Sequence, residues 1–212
     1  MIKHLKHLVL LAFMAVASTA FAQYEWHKTT APDFRGKQDD IYFVDEDKGW
    51  YVNGTGKIYK TVNGGQDWQL IFEKPGTFFR CIGFIDSLRG FVGNIGTDYF
   101  PNVADTVPLY KTTDGGKTWE AVQYKGPVVK GLCAIDILKV PFVNHGVLDY
   151  KYYINAGGRV GSPAYLMRSY DNGKTFTSED VNAHCAFILD IKFLNEQEGF
   201  IMAGSDNVLT KS

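Results

Sequence analysis

Apolar residues along this chain fall in short runs that recur with the same punctuation. Ile41-Tyr42-Phe43-Val44-Asp45 leads to Gly49-Trp50, Ile82-Gly83-Phe84-Ile85-Asp86 to Gly90-Phe91, and Ile191-Lys192-Phe193-Leu194-Asn195 to Gly199-Phe200. In each, an acidic or amide residue stands four positions before the glycine. Short apolar runs bounded by turn residues read as strands. The third unit, around Ile135-Asp136-Ile137, lacks the Gly-aromatic step and reads as degenerate.

A second element follows each run. Ile58 to Trp68, Leu109 to Trp119 and Leu166 to Phe176 superpose without gaps, and a fourth copy begins at Leu209-Thr210-Lys211-Ser212. The shared order is Ser/Thr-x-Asp/Asn-x-Gly-x-Thr/Asp-Trp/Phe, carried by Thr61, Asn63, Gly65 and Trp68, by Thr112, Asp114, Gly116 and Trp119, and by Ser169, Asp171, Gly173 and Phe176. A hydroxyl followed by a carboxylate or amide accepts hydrogen bonds from nearby backbone N–H groups and closes a turn. Glycine supplies positive φ, and the final aromatic packs back onto the sheet. These residues therefore read as structural, not catalytic. Asn63 to Asp114 is 51 residues and Asp114 to Asp171 is 57, enough for about four short strands per unit. Thr97 to Pro108 and roughly Lys139 to Lys151 read as surface loops inserted between strands.

Gly116-Lys117-Thr118 and Gly173-Lys174-Thr175 look like the end of a phosphate-binding loop. Lys111 and Arg168 stand where that loop needs its first glycine, and no helix is predicted to follow, so nucleotide binding is rejected.

These turns resemble the Asp-box, or BNR, repeat of sialidase-like and sortilin-type β-propellers. The alternation with the Ile-x-Phe-x-Asp runs, and the stretch from Ile154 to Ala164, is similar to the photosystem II stability/assembly factor-like family. The resemblance spans about Tyr24 to Ser212. It implies an all-β propeller, commonly of seven blades, that serves as a protein-binding or assembly factor outside the cytoplasm. Asn63, Asp67, Asn172 and Phe176 depart from the repeat's usual residues. About three and a half four-stranded blades are expected, an incomplete ring, with self-association through its open edge as one outcome. The alternatives are a sialidase-like glycosidase and a structural module of a larger cell-surface protein. No arginine cluster, Tyr–Glu pair and acid/base Asp that a sialidase needs can be assembled from the sequence.

Residues 1–22 read as a signal peptide and 23–212 as the partial propeller. Lys3 and Lys6 precede an apolar run from Leu8 to Ala17, and Ala20-Phe21-Ala22 offers cleavage after Ala22. Ten apolar residues are too few to cross ~30 Å of hydrocarbon. Export to the periplasm or exterior is expected, with no membrane span. The 22 basic against 23 acidic residues give a net charge of −1, which argues against a dedicated nucleic-acid binder.

Cys81, Cys133 and Cys185 are evenly spaced but sit at different offsets from the strand anchors Ile82, Ile135 and Ile191. They are expected to be buried and without disulfides. His184-Cys185 falls short of a zinc site, and no metal or cofactor is implied. Tyr99 and Phe100 in the first insertion are candidate contacts for a protein partner, unless the loop folds them onto its own blade. Arg80 and Arg159 are candidates for a basic patch on one face of the ring. Asn53-Gly54-Thr55 matches a glycosylation sequon but reads as hairpin chemistry.

Overall fold

The computed structural model describes residues 26–32, 37–158 and 163–204. The signal sequence with its Ala22 cleavage site, Arg159 and the fourth turn motif lie outside the described residues. No helix occurs among the described residues; fifteen strands form three antiparallel sheets and the start of a fourth. The first sheet holds β1 (Gln38–Phe43), β2 (Gly49–Asn53), β3 (Lys57–Thr61) and β4 (Gln69–Glu73) in sequential order. The second repeats it with β5 (Phe79–Phe84), β6 (Gly90–Asn94), β7 (Leu109–Thr112) and β8 (Glu120–Ala121). A short β9 (Tyr124–Lys125) runs parallel to the outer edge of the third sheet, which is β10 (Ala134–Asn144), β11 (Val147–Gly158), β12 (Tyr165–Ser169) and β13 (Phe176–Asp180). β14 (Phe187–Phe193) and β15 (Gly199–Gly204) pair as a fourth unit.

The first strands β1, β5, β10 and β14 adjoin one another in that order, so the sheets fan from a common inner edge. Side chains tie that edge together. Asp40 of β1 accepts a hydrogen bond from the Ile82 amide of β5 at 2.8 Å, and Asp136 of β10 accepts from the Phe193 amide of β14 at 2.9 Å. Lys192 adds an ion pair to Asp136.

The core lies between sheets, face to face. Trp50, the aromatic after the β2 glycine, stacks on Phe84 of the second sheet with ring centroids 3.7 Å apart. Its indole N–H donates to the Gly115 carbonyl at 3.0 Å. Phe91, at the matching position of β6, packs against Phe176 at 5.6 Å and over Gly173 of the third sheet. The Gly49-Trp50 and Gly90-Phe91 steps therefore each drive one ring onto the turn motif of the next sheet. Burial of such rings is the largest apolar contribution each junction makes.

One sequence expectation is corrected. Lys139 to Lys151 is not an irregular loop: β10 and β11 pair without a break out to Asn144↔Val147. His145 (φ 47°) and Gly146 (φ 81°) both take left-handed conformations, as a two-residue hairpin turn requires. Cation–π contacts brace the extension, Lys139 over Tyr150 at 3.9 Å and Lys151 over Phe142 at 4.9 Å. This continuation replaces the Gly-aromatic step that the third unit lacks.

Cys81 and Cys133 are buried and Cys185 is half-buried, and no disulfide joins them. Cys81 packs between the second and third sheets, whereas Cys133 packs with Phe78, Ile95 and Val103. Burial pushes the Cys81 thiol well up, which removes it as a nucleophile.

Candidate functional site

The turn motifs build the rim. In the first, the Thr61 hydroxyl accepts from the Gly65 amide at 2.9 Å and donates to Asn63 Oδ1 at 2.9 Å, and Asn63 Oδ1 accepts from the Asp67 amide at 3.0 Å. The second repeats this with Gly116 N to Thr112 Oγ1 at 3.0 Å and Thr118 N to Asp114 Oδ1 at 3.0 Å. The third does so with Gly173 N to Ser169 Oγ at 2.9 Å and Thr175 N to Asp171 Oδ1 at 2.9 Å. Asn172 stands at φ 64°, where the other two turns place Gly64 (φ 67°) and Gly115 (φ 77°). Asparagine tolerates that region, so the departure preserves the turn.

Hydrogen bonds from the Thr118 hydroxyl and amide hold the Asp114 carboxyl at about 2. At Asp171 partial burial opposes ionisation, yet bonds from the Thr175 hydroxyl and amide outweigh it and again hold the carboxyl at about 2. Carboxylates so committed are turn acceptors and have no proton to exchange near neutrality. Trp119 donates its indole N–H to the Gly116 carbonyl at 2.9 Å, and Phe176 is buried.

Arg80 does not stand in a basic patch. It lies at the inner edge and donates to Asp39 Oδ1 at 3.1 Å. The Asp39 side chain is 0% exposed, and its Oδ2 has no hydrogen-bond partner among the described residues. Asp39, Asp40, Arg80 and Asp190 line one cleft of about 360 Å³. Burial raises the Asp39 carboxyl above its ordinary value, against the pull of Arg80. Burial also raises Asp40, with the Asp190 charge adding to the shift. Register shifts in β1, β5 and β14 fall at Asp39, Arg80 and Leu189, so it is the extra residue of each bulge that reaches this cleft. Single-sequence reading has no signal for that convergence.

The insertion after β6 folds onto its own scaffold. Phe100 packs on Phe78 with centroids 4.5 Å apart, Val103 is buried, and the Ala104 amide donates to the Gly76 carbonyl at 2.9 Å. Asp105 pins its far end, accepting from the Tyr110 hydroxyl at 2.5 Å and the Thr77 hydroxyl at 2.7 Å. Tyr99 and Phe100 stay exposed on one side. The Asn53 side chain is likewise committed, accepting from the Thr55 and Lys57 amides of the β2–β3 turn at 3.1 and 3.2 Å.

The surface that sequence reading missed is the tip of the β10–β11 hairpin. Val143 and Leu148, 72% and 59% exposed, pair across the strands on one face of the tip, and Val147, 67% exposed, stands on the other. The adjacent apolar pairs Phe142-Val143 and Val147-Leu148 on either side of Asn144-His145-Gly146 were the available signal, masked by Pro141 and the polar residues around them. Among the described residues no group of His, Cys, Asp and Glu side chains has the arrangement of a metal site, and no helix is long and apolar enough to cross a membrane.

No protein-family model and no curated protein matches the chain. Among solved structures it is similar to an ancestral GH74 enzyme, with a TM-score of 0.52 and 15% identity, covering 74% of this chain and 20% of that one. It is also similar to the GH74 xyloglucanase of Xanthomonas campestris (TM-score 0.47, 12% identity, 74% and 24% covered). A third likeness is to YCF48 from Cyanidioschyzon merolae (TM-score 0.38, 15% identity, 83% and 69% covered). The chain thus spans about a fifth to a quarter of the GH74 structures. At such identities the likeness speaks for fold alone: the sheets are blades of a β-propeller.

Proposed function

We propose that the protein is an exported, non-catalytic β-propeller module that binds another protein, in the manner of an assembly factor. The observation that carries this reading is the hairpin tip: three large aliphatic side chains held out to solvent on a rigid two-stranded arm. Clustered apolar exposure costs solubility and marks a surface kept for a partner. The committed carboxylates of the turns support a scaffold role, because none of them is poised as acid or base.

The test places a photo-crosslinking residue at Val147 in the producing cell, with the same residue at Val62 as a control. One discrete protein adduct at Val147, absent at Val62 and lost when Val143 and Leu148 are changed to Ser, supports the reading. Adducts to lipid alone, or flotation of the purified chain with anionic vesicles that the same Ser changes abolish, would overturn it in favour of a membrane contact. Turnover of a fluorogenic sialoside or of xyloglucan above the blank would overturn the non-catalytic part. Export is checked separately, by a mature N-terminus at Gln23.

A further inference from the structure

The β10–β11 hairpin outreaches its own sheet. β12 pairs with β11 only from Ile154 to Gly158, so from Val147 to Tyr153 that strand has β10 on one side and no strand on the other. The two-residue turn fixes which backbone groups face outward. Asn144 and Val147 close it as a hydrogen-bonded pair, so Leu148, Tyr150 and Tyr152 of β11 turn their N–H and C=O groups away from β10, and Pro141 and Val143 turn theirs away from β11. Tyr152 shows the β11 edge in use: its amide donates to Asn172 Oδ1 at 2.7 Å, and its carbonyl accepts from the Asn172 amide at 3.2 Å. Toward the tip the lane that β12 occupies lower down is empty among the described residues. The Tyr150 amide reaches only the carboxylate of its neighbour Asp149, at 2.7 Å, and the backbone groups of Leu148 meet no partner among the described residues.

The two edges of the arm are unlike. On β10 an outward position falls to Pro141, which has no N–H to give and blocks a ladder there. Its cross-strand mate on β11 is Tyr150, which keeps its N–H. A proline thus guards one edge, as in natural sheets that avoid pairing, and the other is left open. The chain already covers a different edge with extended backbone: β9 lies along β13 by the two pairs Phe176↔Tyr124 and Thr177↔Lys125. Resting on the reading that the arm is where a protein binds, we infer that the partner enters as an added strand. An extended segment of that protein pairs with β11 at Leu148 and Tyr150, in the lane beyond Asn172. Its residues opposite those two are apolar, because they share the face of Val143, Leu148, Pro141 and Tyr150. Those on the other face meet Asp149 and Lys151 and are polar.

Two proline substitutions test this, each removing one outward N–H and no bond of the hairpin: Leu148→Pro on the β11 edge and Val143→Pro, its cross-strand mate, on the β10 edge. The readout is the yield of the protein adduct formed in the producing cell by a photo-crosslinking residue at Val147. Leu148→Pro should lower it about tenfold or more, because the incoming strand loses an edge bond and meets the proline ring. Val143→Pro, and Leu148→Ala, which keeps the N–H, should each stay within about threefold, the scale of a surface change. Amide exchange at Asp149, paired with Phe142, checks in each purified variant that the hairpin is formed. If Leu148→Pro opens the hairpin, Tyr150→Pro removes the next outward N–H and is read in the same way. An adduct that survives the β11 prolines, or falls as far with Val143→Pro or Leu148→Ala, would overturn the added strand and leave the arm a binding site. So would self-association of the purified chain that Leu148→Pro abolishes, since a second copy would then fill the lane. No adduct even on the unsubstituted arm would overturn the underlying reading as well.

Discussion

Trp50 and Phe200 hold the same place in the repeated hairpin, directly after the glycine that opens its second strand, yet one is sealed between sheets and the other faces solvent. Both are large aromatic rings, although only Trp50 carries an N–H, and they differ in what lies on the far side. A ring after Gly is thus a device for joining one blade to the next, and its energetic worth is set by what lies opposite. At the Trp50 junction the ring gains a stacked partner, a carbonyl acceptor for its N–H and full desolvation. Phe200 has no such stacked ring or desolvation among the described residues and is 68% exposed.

The largest effect that would break this comparison is truncation of the ring. Trp50→Ala should cost about 3–5 kcal/mol, the range for deleting a large buried aromatic, and Phe200→Ala no more than about 0.5 kcal/mol in a monomer. Denaturant unfolding checks both, and equal losses would mean that the first junction is not closed.

The glycine pair sharpens it. Gly116 (φ 93°) and Gly65 (φ 82°) share a left-handed backbone, so Ala at either place carries a similar conformational penalty of about 1–2 kcal/mol. Gly116→Ala must in addition displace Ile71 and Trp50, for a further loss of about 1–3 kcal/mol from overpacking. The excess over Gly65→Ala, read from the two unfolding curves, isolates the filled junction from the turn.

Acid titration gives a smaller effect. Asp114 and Asp171 sit at about 2 in the folded chain against an ordinary 3.8, so their contribution is complete above roughly pH 5 and drains as pH falls toward 2. Thermal midpoints of Asp114→Asn/Asp171→Asn should show a flatter decline across that window than the wild type. Asp39 and Asp40 run the other way. Their raised values mean that the folded chain holds a proton more tightly, so stability falls slightly as pH rises from about 4 through their titration. Carboxyl NMR should find these two titrating above 3.8 and the turn pair below it.

The turns were legible because their chemistry is local: a hydroxyl, a carboxylate and a glycine within a few residues determine the geometry that Thr112, Asp114 and Gly116 adopt. The Ile-x-Phe runs were legible as strands for the same reason. The acidic setting of Arg80, beside Asp39, Asp40 and Asp190, was not, because it arises where bulges of β1, β5 and β14 meet across 150 residues of sequence. The hairpin between Lys139 and Lys151 was misread because Pro141 and Asp149 suggest irregular chain, while the pairing that overrides them is set by the two left-handed residues at its tip. Tyr99 and Phe100 could be named from sequence, but whether they face a partner or Phe78 is a question of tertiary packing.

The most direct measurement of the closed junction is hydrogen exchange at the four indole N–H groups, assigned by single Trp→Phe changes. The indole proton of Trp50, fully buried and bonded to the Gly115 carbonyl, should exchange only on global unfolding, while that of the fully exposed Trp26 should exchange at the rate of free indole. Rapid exchange at Trp50 in the folded protein would show the first two sheets parted and would contradict the ring-on-turn packing from which the other inferences follow.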